Sequence, residues 1–218
     1  MIYLDKEKTK KANINPNENN QYVLRGEGVY YVFENAKVIC RDYVDVYAYD
    51  NSEVVACYDS KVKAYDNAKV RAYDDSIVRA YDNSEVVAYE DSVVKSYHFS
   101  IVNAYYDSKV KAYDNAKVMA YDDSIVRAYD DSIVDAYEDS VVKSYHFSIV
   151  NAYYDSKVKA YDNSIVKAYD DSKVEAYGGS RVYAYYDSKV EAYDESKVEA
   201  YDESIVNAYG ESIVVDYK

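Results

Sequence analysis

The chain has 218 residues, 32 of them Tyr, with no Trp, one Pro, five Gly and two Met, and its formal net charge is -14. That composition lacks both the loop punctuation and the large aliphatic material of an ordinary globular core. The acidic balance opposes general nucleic-acid binding. No apolar run reaches signal-peptide or membrane-span length, so a cytoplasmic or particle-associated location without membrane contact is expected.

Residues 1–20 carry Lys6, Lys8, Lys10 and Lys11, then an amide-rich run around the lone Pro16, and are expected to form a polar tail or linker. Residues 21–32 suggest two short strands about the Gly26 to Gly28 turn, an N-terminal cap over the first open edge of a repeat array. From Phe33 to residue 218 one octapeptide dominates, Tyr-Asp-Asx-Ser-x-Val-z-Ala. Every eighth residue from Val38 to Val214 is Val, and every eighth from Tyr65 to Tyr217 is Tyr. Stacking without insertions is the reading that so strict a register supports.

Period two inside the octad marks a strand, with Ser, Val and Ala on one side and x, z and Tyr on the other. The first set hardly varies and suits a thin interior; x and z vary as solvent-facing positions do. The Asp-Asx pair is turn material that tolerates left-handed backbone. Two octads per coil give a flattened coil of 16 residues, and three give a triangular one of 24. The Asx column alternates with period sixteen, with Asn51, Asn67 and Asn83 in one set and Asp59, Asp75, Asp91, Asp107, Asp123, Asp139, Asp155, Asp171 and Asp187 in the other. Column z agrees, with Lys63, Arg79, Lys95, Lys111, Arg127, Lys143 and Lys159 in one set and mostly uncharged residues in the other. The expected fold is therefore an all-β parallel β-solenoid, a two-sided β-helix of eleven to twelve 16-residue coils.

Octads such as Ala64-Tyr65-Asp66-Asn67-Ala68-Lys69-Val70-Arg71 resemble the Ala-Tyr-Asp-Ser-x-Val-x repeats of bacterial and phage-related proteins, and more distantly the octapeptides of bacterial ice-nucleation proteins. The resemblance covers about residues 33 to 218. It implies a parallel β-solenoid with stacked tyrosine ladders and little about activity. Ice-binding faces present Thr-x-Thr rows, whereas the triplets here read Lys61-Val62-Lys63 or Ile133-Val134-Asp135, and Thr9 is the only threonine.

Four constellations bear on function. Tyr65, Tyr81, Tyr97, Tyr113, Tyr129, Tyr145 and Tyr161 are expected to form a structural ladder, with an aromatic platform for carbohydrate or a partner as the alternative. The nine aspartates of the Asx column repel one another unless backbone N–H groups or weakly bound divalent cations hold them. The basic stripe from Lys63 to Lys159 is expected to be a solvated face. Ile101, Met119, Ile133, Ile149 and Ile165 mark the opposite, neutral face as the candidate for contact with another copy or another protein.

Catalytic residues, a resident metal and a cofactor are not expected: the serines recur in nearly every octad, and His98 and His146 lie three coils, about 14 Å, apart. Cys40 and Cys57 are expected to be free thiols. Asp216 stands where earlier octads have Ala, Ser or Cys, and a charge in that column is expected to oppose end-to-end growth. The expected role is that of a non-enzymatic structural, spacer or protein-interaction module. Its rivals are an ice-binding surface and an acidic mimic of nucleic acid that occupies a DNA-binding partner. Neither nucleic acid nor a small-molecule substrate is an expected partner.

Overall fold

The computed structural model describes residues 2–4 and 21–217. Every regular element among them is a β-strand, and no helix there is long and apolar enough to cross a membrane. The chain divides into two compact units, Met1–Lys109 and Val110–Lys218, each a parallel β-solenoid of the same design.

Successive strands alternate between two sheets. In the first unit, sheet I contains Gly28–Val32, Val44–Ala48, Lys61–Ala64, Ile77–Ala80 and Val93–Ser96, while sheet II contains Tyr22–Arg25, Lys37–Arg41, Glu53–Ala56, Lys69–Ala72, Glu85–Ala88 and Ile101–Ala104. In the second unit, sheet I includes the strands from Ile125–Ala128 to Ile205–Ala208, and sheet II those from Lys117–Ala120 to Ile213–Asp216. Register settles the coil size. Val54 pairs with Val70, Val134 with Val150 and Val182 with Val198, always sixteen residues on. The 24-residue coil is thereby excluded. From Lys37–Arg41 to Ile213–Asp216 there are 23 strands, two to a coil, within the expected eleven to twelve coils.

The stretch read as a cap is already in solenoid register. Tyr22 pairs with Val38 and Leu24 with Cys40, and Tyr30 pairs with Val46 and Val32 with Ala48, all in parallel. Larger side chains fill this first coil: Leu24, Tyr30 and Val32 are buried where later coils have Ala, Val and Ala. Gly28 takes the position of the turn serine because a Cβ there would lie 3.0 Å from the Tyr30 ring. Ile2–Leu4 adds the one antiparallel strand, paired with Tyr30–Val32. The rest of the expected polar tail, residues 1 and 5–20, lies outside the described residues.

Most corners are built the same way. The residue after the ladder tyrosine takes a positive φ, 55° to 58° at Asp66, Asp74, Asp82 and Asp114. Asp tolerates that region better than most residues because its short polar side chain bonds locally. The turn closes by Ser76 N–H donating to the Tyr73 carbonyl at 3.3 Å. Between coils the ladder continues through the corner: Tyr65 N–H donates to Ala48 O at 2.9 Å, Asn67 N–H to Asp50 O at 3.0 Å and Lys69 N–H to Ser52 O at 2.8 Å. The backbone ladder therefore runs through the corner as well as through the strand.

Ser, Val and Ala point inward as expected, with the valines no more than 2 % exposed from Val38 to Val198. Cys40 and Cys57 are both free, and burial holds the Cys40 thiol well above the usual thiol range. The turn serines divide into two kinds. Ser100, Ser148 and Ser164 donate to the tyrosine carbonyl three residues back at 2.8 to 2.9 Å. Ser76, Ser124 and most of the others are buried without a hydrogen-bond partner.

Two pairs of substitutions check this account by urea denaturation. Val118, 2 % exposed, lines the thin interior, so Val118→Asp is expected to destabilise by about 3 kcal/mol or more, while Lys111→Glu on the outer face shifts stability by less than about 0.5 kcal/mol. Ser76→Ala removes an orphaned buried hydroxyl and is expected to stabilise by up to about 1 kcal/mol. Ser148→Ala does the opposite, because it breaks the bond to Tyr145 O and the 2.7 Å contact with Ser144 Oγ.

Candidate functional site

The tyrosine positions at the coil corners are half-buried and stack on their equivalents one coil away. In the first unit Phe33, Tyr49, Tyr65, Tyr81 and Tyr97 form one stack with centroids 4.9 to 5.0 Å apart, and Tyr73, Tyr89 and Tyr105 a second. In the second unit Tyr113, Tyr129, Tyr145, Tyr161, Tyr177, Tyr193 and Tyr209 form one, and the column from Tyr121 to Tyr217 the other, at 4.9 to 5.1 Å. Interplanar angles of 7° to 12° in the second unit make these offset parallel stacks. Stacking covers both faces of each internal ring, so the ladders present ring edges and hydroxyls rather than flat faces to a sugar.

Position z decides what the hydroxyl does. It lies two residues before the ladder tyrosine on the same outward side. Tyr177 Oη donates to Glu175 at 2.8 Å, Tyr193 to Glu191 at 2.7 Å and Tyr201 to Glu199 at 2.7 Å. The bond to the carboxylate favours the protonated phenol and pushes Tyr193 and Tyr201 up to about 12. Glu175 also accepts from Lys159 at 2.7 Å, and those bonds hold its carboxyl below the usual range.

The nine aspartates of the Asx column, from Asp59 to Asp187, all lie at exposed turn tips. Asp91 approaches Lys109 at 3.7 Å and Asp139 approaches Lys157 at 3.8 Å. Backbone donors serve the preceding residue instead: Glu34 N–H donates to Asp50 at 2.9 Å, Asp50 N–H to Asp66 at 3.2 Å and Tyr58 N–H to Asp74 at 3.4 Å, each carboxylate one coil further on. Sequence reading named the neighbouring column because its Asn/Asp alternation is conspicuous, whereas the first position of the turn mixes Asp with Glu, His, Tyr and Gly. Among the described residues no group of three or more His, Cys, Asp or Glu side chains is placed to hold a metal ion.

Grooves on the outer faces are shallow. One of about 380 Å³ in the first unit lies over sheet II between Lys37, Glu53, Lys69 and Glu85. Its charges pair with one another, Lys37 with Glu53 at 3.1 Å and Lys69 with Glu85 at 3.2 Å. On sheet I of the same unit Lys63 lies 4.5 Å above the Tyr47 ring centroid, its Nζ donating to Tyr47 Oη at 3.1 Å.

The isoleucines fall in two places. Ile101 is half-buried on sheet II of the first unit. Ile133, Ile149 and Ile165 are consecutive rungs on sheet II of the second unit and half-buried like Ile101, with Met119 one strand earlier in the z column, its sulfur 3.9 Å from Tyr121 Oη.

A spectrophotometric titration of the phenols tests the Tyr–Glu pairs. Folding raises these pKa values, so the stability they contribute is complete below about pH 10 and is lost as pH rises towards 12. The variant Glu191→Gln, Glu199→Gln is expected to move two phenols from the late to the ordinary part of the curve; an unchanged curve refutes the assignment. No protein-family model, no curated protein and no solved structure matches this chain.

Proposed function

We propose that the chain is a non-catalytic repeat module that serves as a structural spacer and packs against a second copy through sheet II of its second unit. The observation that carries this reading is the row Ile133, Ile149 and Ile165, three large aliphatic side chains on adjacent rungs, flanked in the same column by Lys117 before and by Arg181 and Lys197 after. The polar side chains beside the row already satisfy one another, since Asn151 Nδ2 donates to Asp135 Oδ1 at 2.7 Å. Such a row covers itself at little desolvation cost. Each isoleucine contributes about 1 kcal/mol when the rest of its apolar surface leaves water.

Sedimentation velocity in about 0.5 M salt, where ionic contacts are screened, tests this. The wild-type chain is expected to self-associate, and Ile133→Lys, Ile149→Lys, Ile165→Lys to sediment as a monomer with an unchanged melting temperature. A wild-type chain that stays monomeric, or a variant that associates equally well, overturns the reading.

A further inference from the structure

Two surfaces of this acidic chain are complementary. The first is the outward side of sheet I. Over the strands Lys61–Ala64, Ile77–Ala80 and Val93–Ser96 it presents Lys61, Lys63, Ile77, Arg79, Val93 and Lys95, four cations and no carboxylate. In the second unit Ile125–Ala128, Val141–Ser144 and Lys157–Ala160 repeat the arrangement with Arg127, Lys143, Lys157 and Lys159. A net charge of -14 makes carboxylate-free faces conspicuous.

The second surface is the corner that leads into sheet I. Its tips are the aspartates of the Asx column, and the positive-φ position before each tip holds either an acid or a tyrosine. Tyr58, Tyr106, Tyr154 and Tyr186 take φ values of 55°, 42°, 54° and 54° there, a conformation in which a bulky side chain is strained and Asp or Gly is at ease. All four rings are 56 % to 57 % exposed, and none is in a ladder. They stand among carboxylates: Asp74 and Glu90 separate Tyr58 from Tyr106, and Asp170 separates Tyr154 from Tyr186. An exposed phenol ring beside carboxylates is a receptor for lysine and arginine, and Lys63 over Tyr47 shows the same contact made within one chain.

The two surfaces share one spacing. Each offers one residue per coil, and a coil is 4.9 to 5.1 Å tall as judged from the ring stacks. A corner laid along a basic face therefore meets a cation at every coil, and the contacts accumulate with length. We propose that copies of this chain associate side by side, the acidic, tyrosine-bearing corner of one on the basic face of sheet I of the next. The contact is heterologous, so it leaves a free corner and a free face and adds further copies in open arrays. It rests on reading the chain as an interaction module but uses surfaces other than the isoleucine row.

Salt separates the two contacts. At about 0.15 M, where the Debye length of about 8 Å screens the overall repulsion between copies more than it screens touching pairs, side-by-side association is expected. At 1 M it is lost, whereas apolar contact through the isoleucine row persists. Using Ile133→Asn, Ile149→Asn, Ile165→Asn as background, so that no new cation is introduced, one variant removes the z-column cations of the face (Lys63→Gln, Arg79→Gln, Lys95→Gln, Arg127→Gln, Lys143→Gln, Lys159→Gln). A second removes the tip charges of the corner (Asp59→Asn, Asp75→Asn, Asp91→Asn, Asp123→Asn, Asp139→Asn, Asp155→Asn), with Asn native at most of the opposite tips. Each alone is expected to need at least about tenfold more protein for half-association than the background chain. Mixed in equal amounts they associate as pairs, because one keeps its corner and the other its face; circular dichroism confirms that both are folded. A background chain that is monomeric at about 0.15 M, association that survives in either variant alone, or a mixture that stays monomeric each overturns the proposal.

Discussion

Within each unit the backbone hydrogen-bond ladder does not stop at the strand ends but runs through the corners, as Tyr65 to Ala48 and Asn67 to Asp50 illustrate. Every residue consequently stands about one strand spacing from the residue sixteen places away, and each column is a stack of like on like. For Tyr, Val and Ala that repetition is favourable. For charges it is not, since two equal charges 5 Å apart repel by about 0.8 kcal/mol in water before screening. Much of the outer surface answers this one difficulty. Lys37, Glu53, Lys69 and Glu85 alternate in sign along sheet II. Backbone N–H groups hold Asp50, Asp66 and Asp74, and Asn151 bridges to Asp135.

The interior explains why the surface is free to vary. Two sheets faced with Val, Ala and Ser enclose a space too thin for a larger aliphatic residue, and only the first coil, with Leu24 and Tyr30, departs from this. No side chain on the outside takes part in that packing. Stability then accrues coil by coil from neighbours alone, as in other solenoids. Hydroxyls that lack a partner are tolerated for the same reason: Ala occupies the serine position at Ala68 and Ala116, so the interior requires smallness there rather than a hydrogen bond.

How much of this was legible follows from what periodicity reports. Parity along the octad put Ser, Val and Ala inside, and the period of the Asx and z columns distinguished 16 residues per coil from 24, because each is a property of columns and the coil is a stack of columns. Single residues were harder to place. Tyr58, Tyr106, Tyr154 and Tyr186 follow no period of their own, and it is their positive φ and exposure that set them apart. Strand Ile2–Leu4 was not seen because three residues carry no period, and residues 21–32 read as a cap because a repeat array needs its first open edge covered, while the parallel register of the two strands there could not be read from residues larger than those of later coils. Whether ladder rings face in or out could not be read either: the corner resets the alternation, and the rings end half-buried against one another.

The ladders and the z column show how a repeat so uniform acquires local chemistry. Where z is Glu, as at Glu175, Glu191 and Glu199, the following ladder tyrosine has a carboxylate acceptor and keeps its proton to higher pH. On sheet I of the second unit the same column is Lys at Lys143 and Lys159, and there the rings of Tyr145 and Tyr161 stack without that acceptor. The ring spacing is indifferent to the change, at 5.0 Å for Tyr145 and Tyr161 and 4.9 Å for Tyr177 and Tyr193. Sign reversal two residues away therefore alters the phenol without altering the coil. A fold whose inward columns carry the packing can set the charge of each outward column independently, which is how one acidic chain comes to hold both a carboxylate-rich corner and stretches of a face with no carboxylate on them.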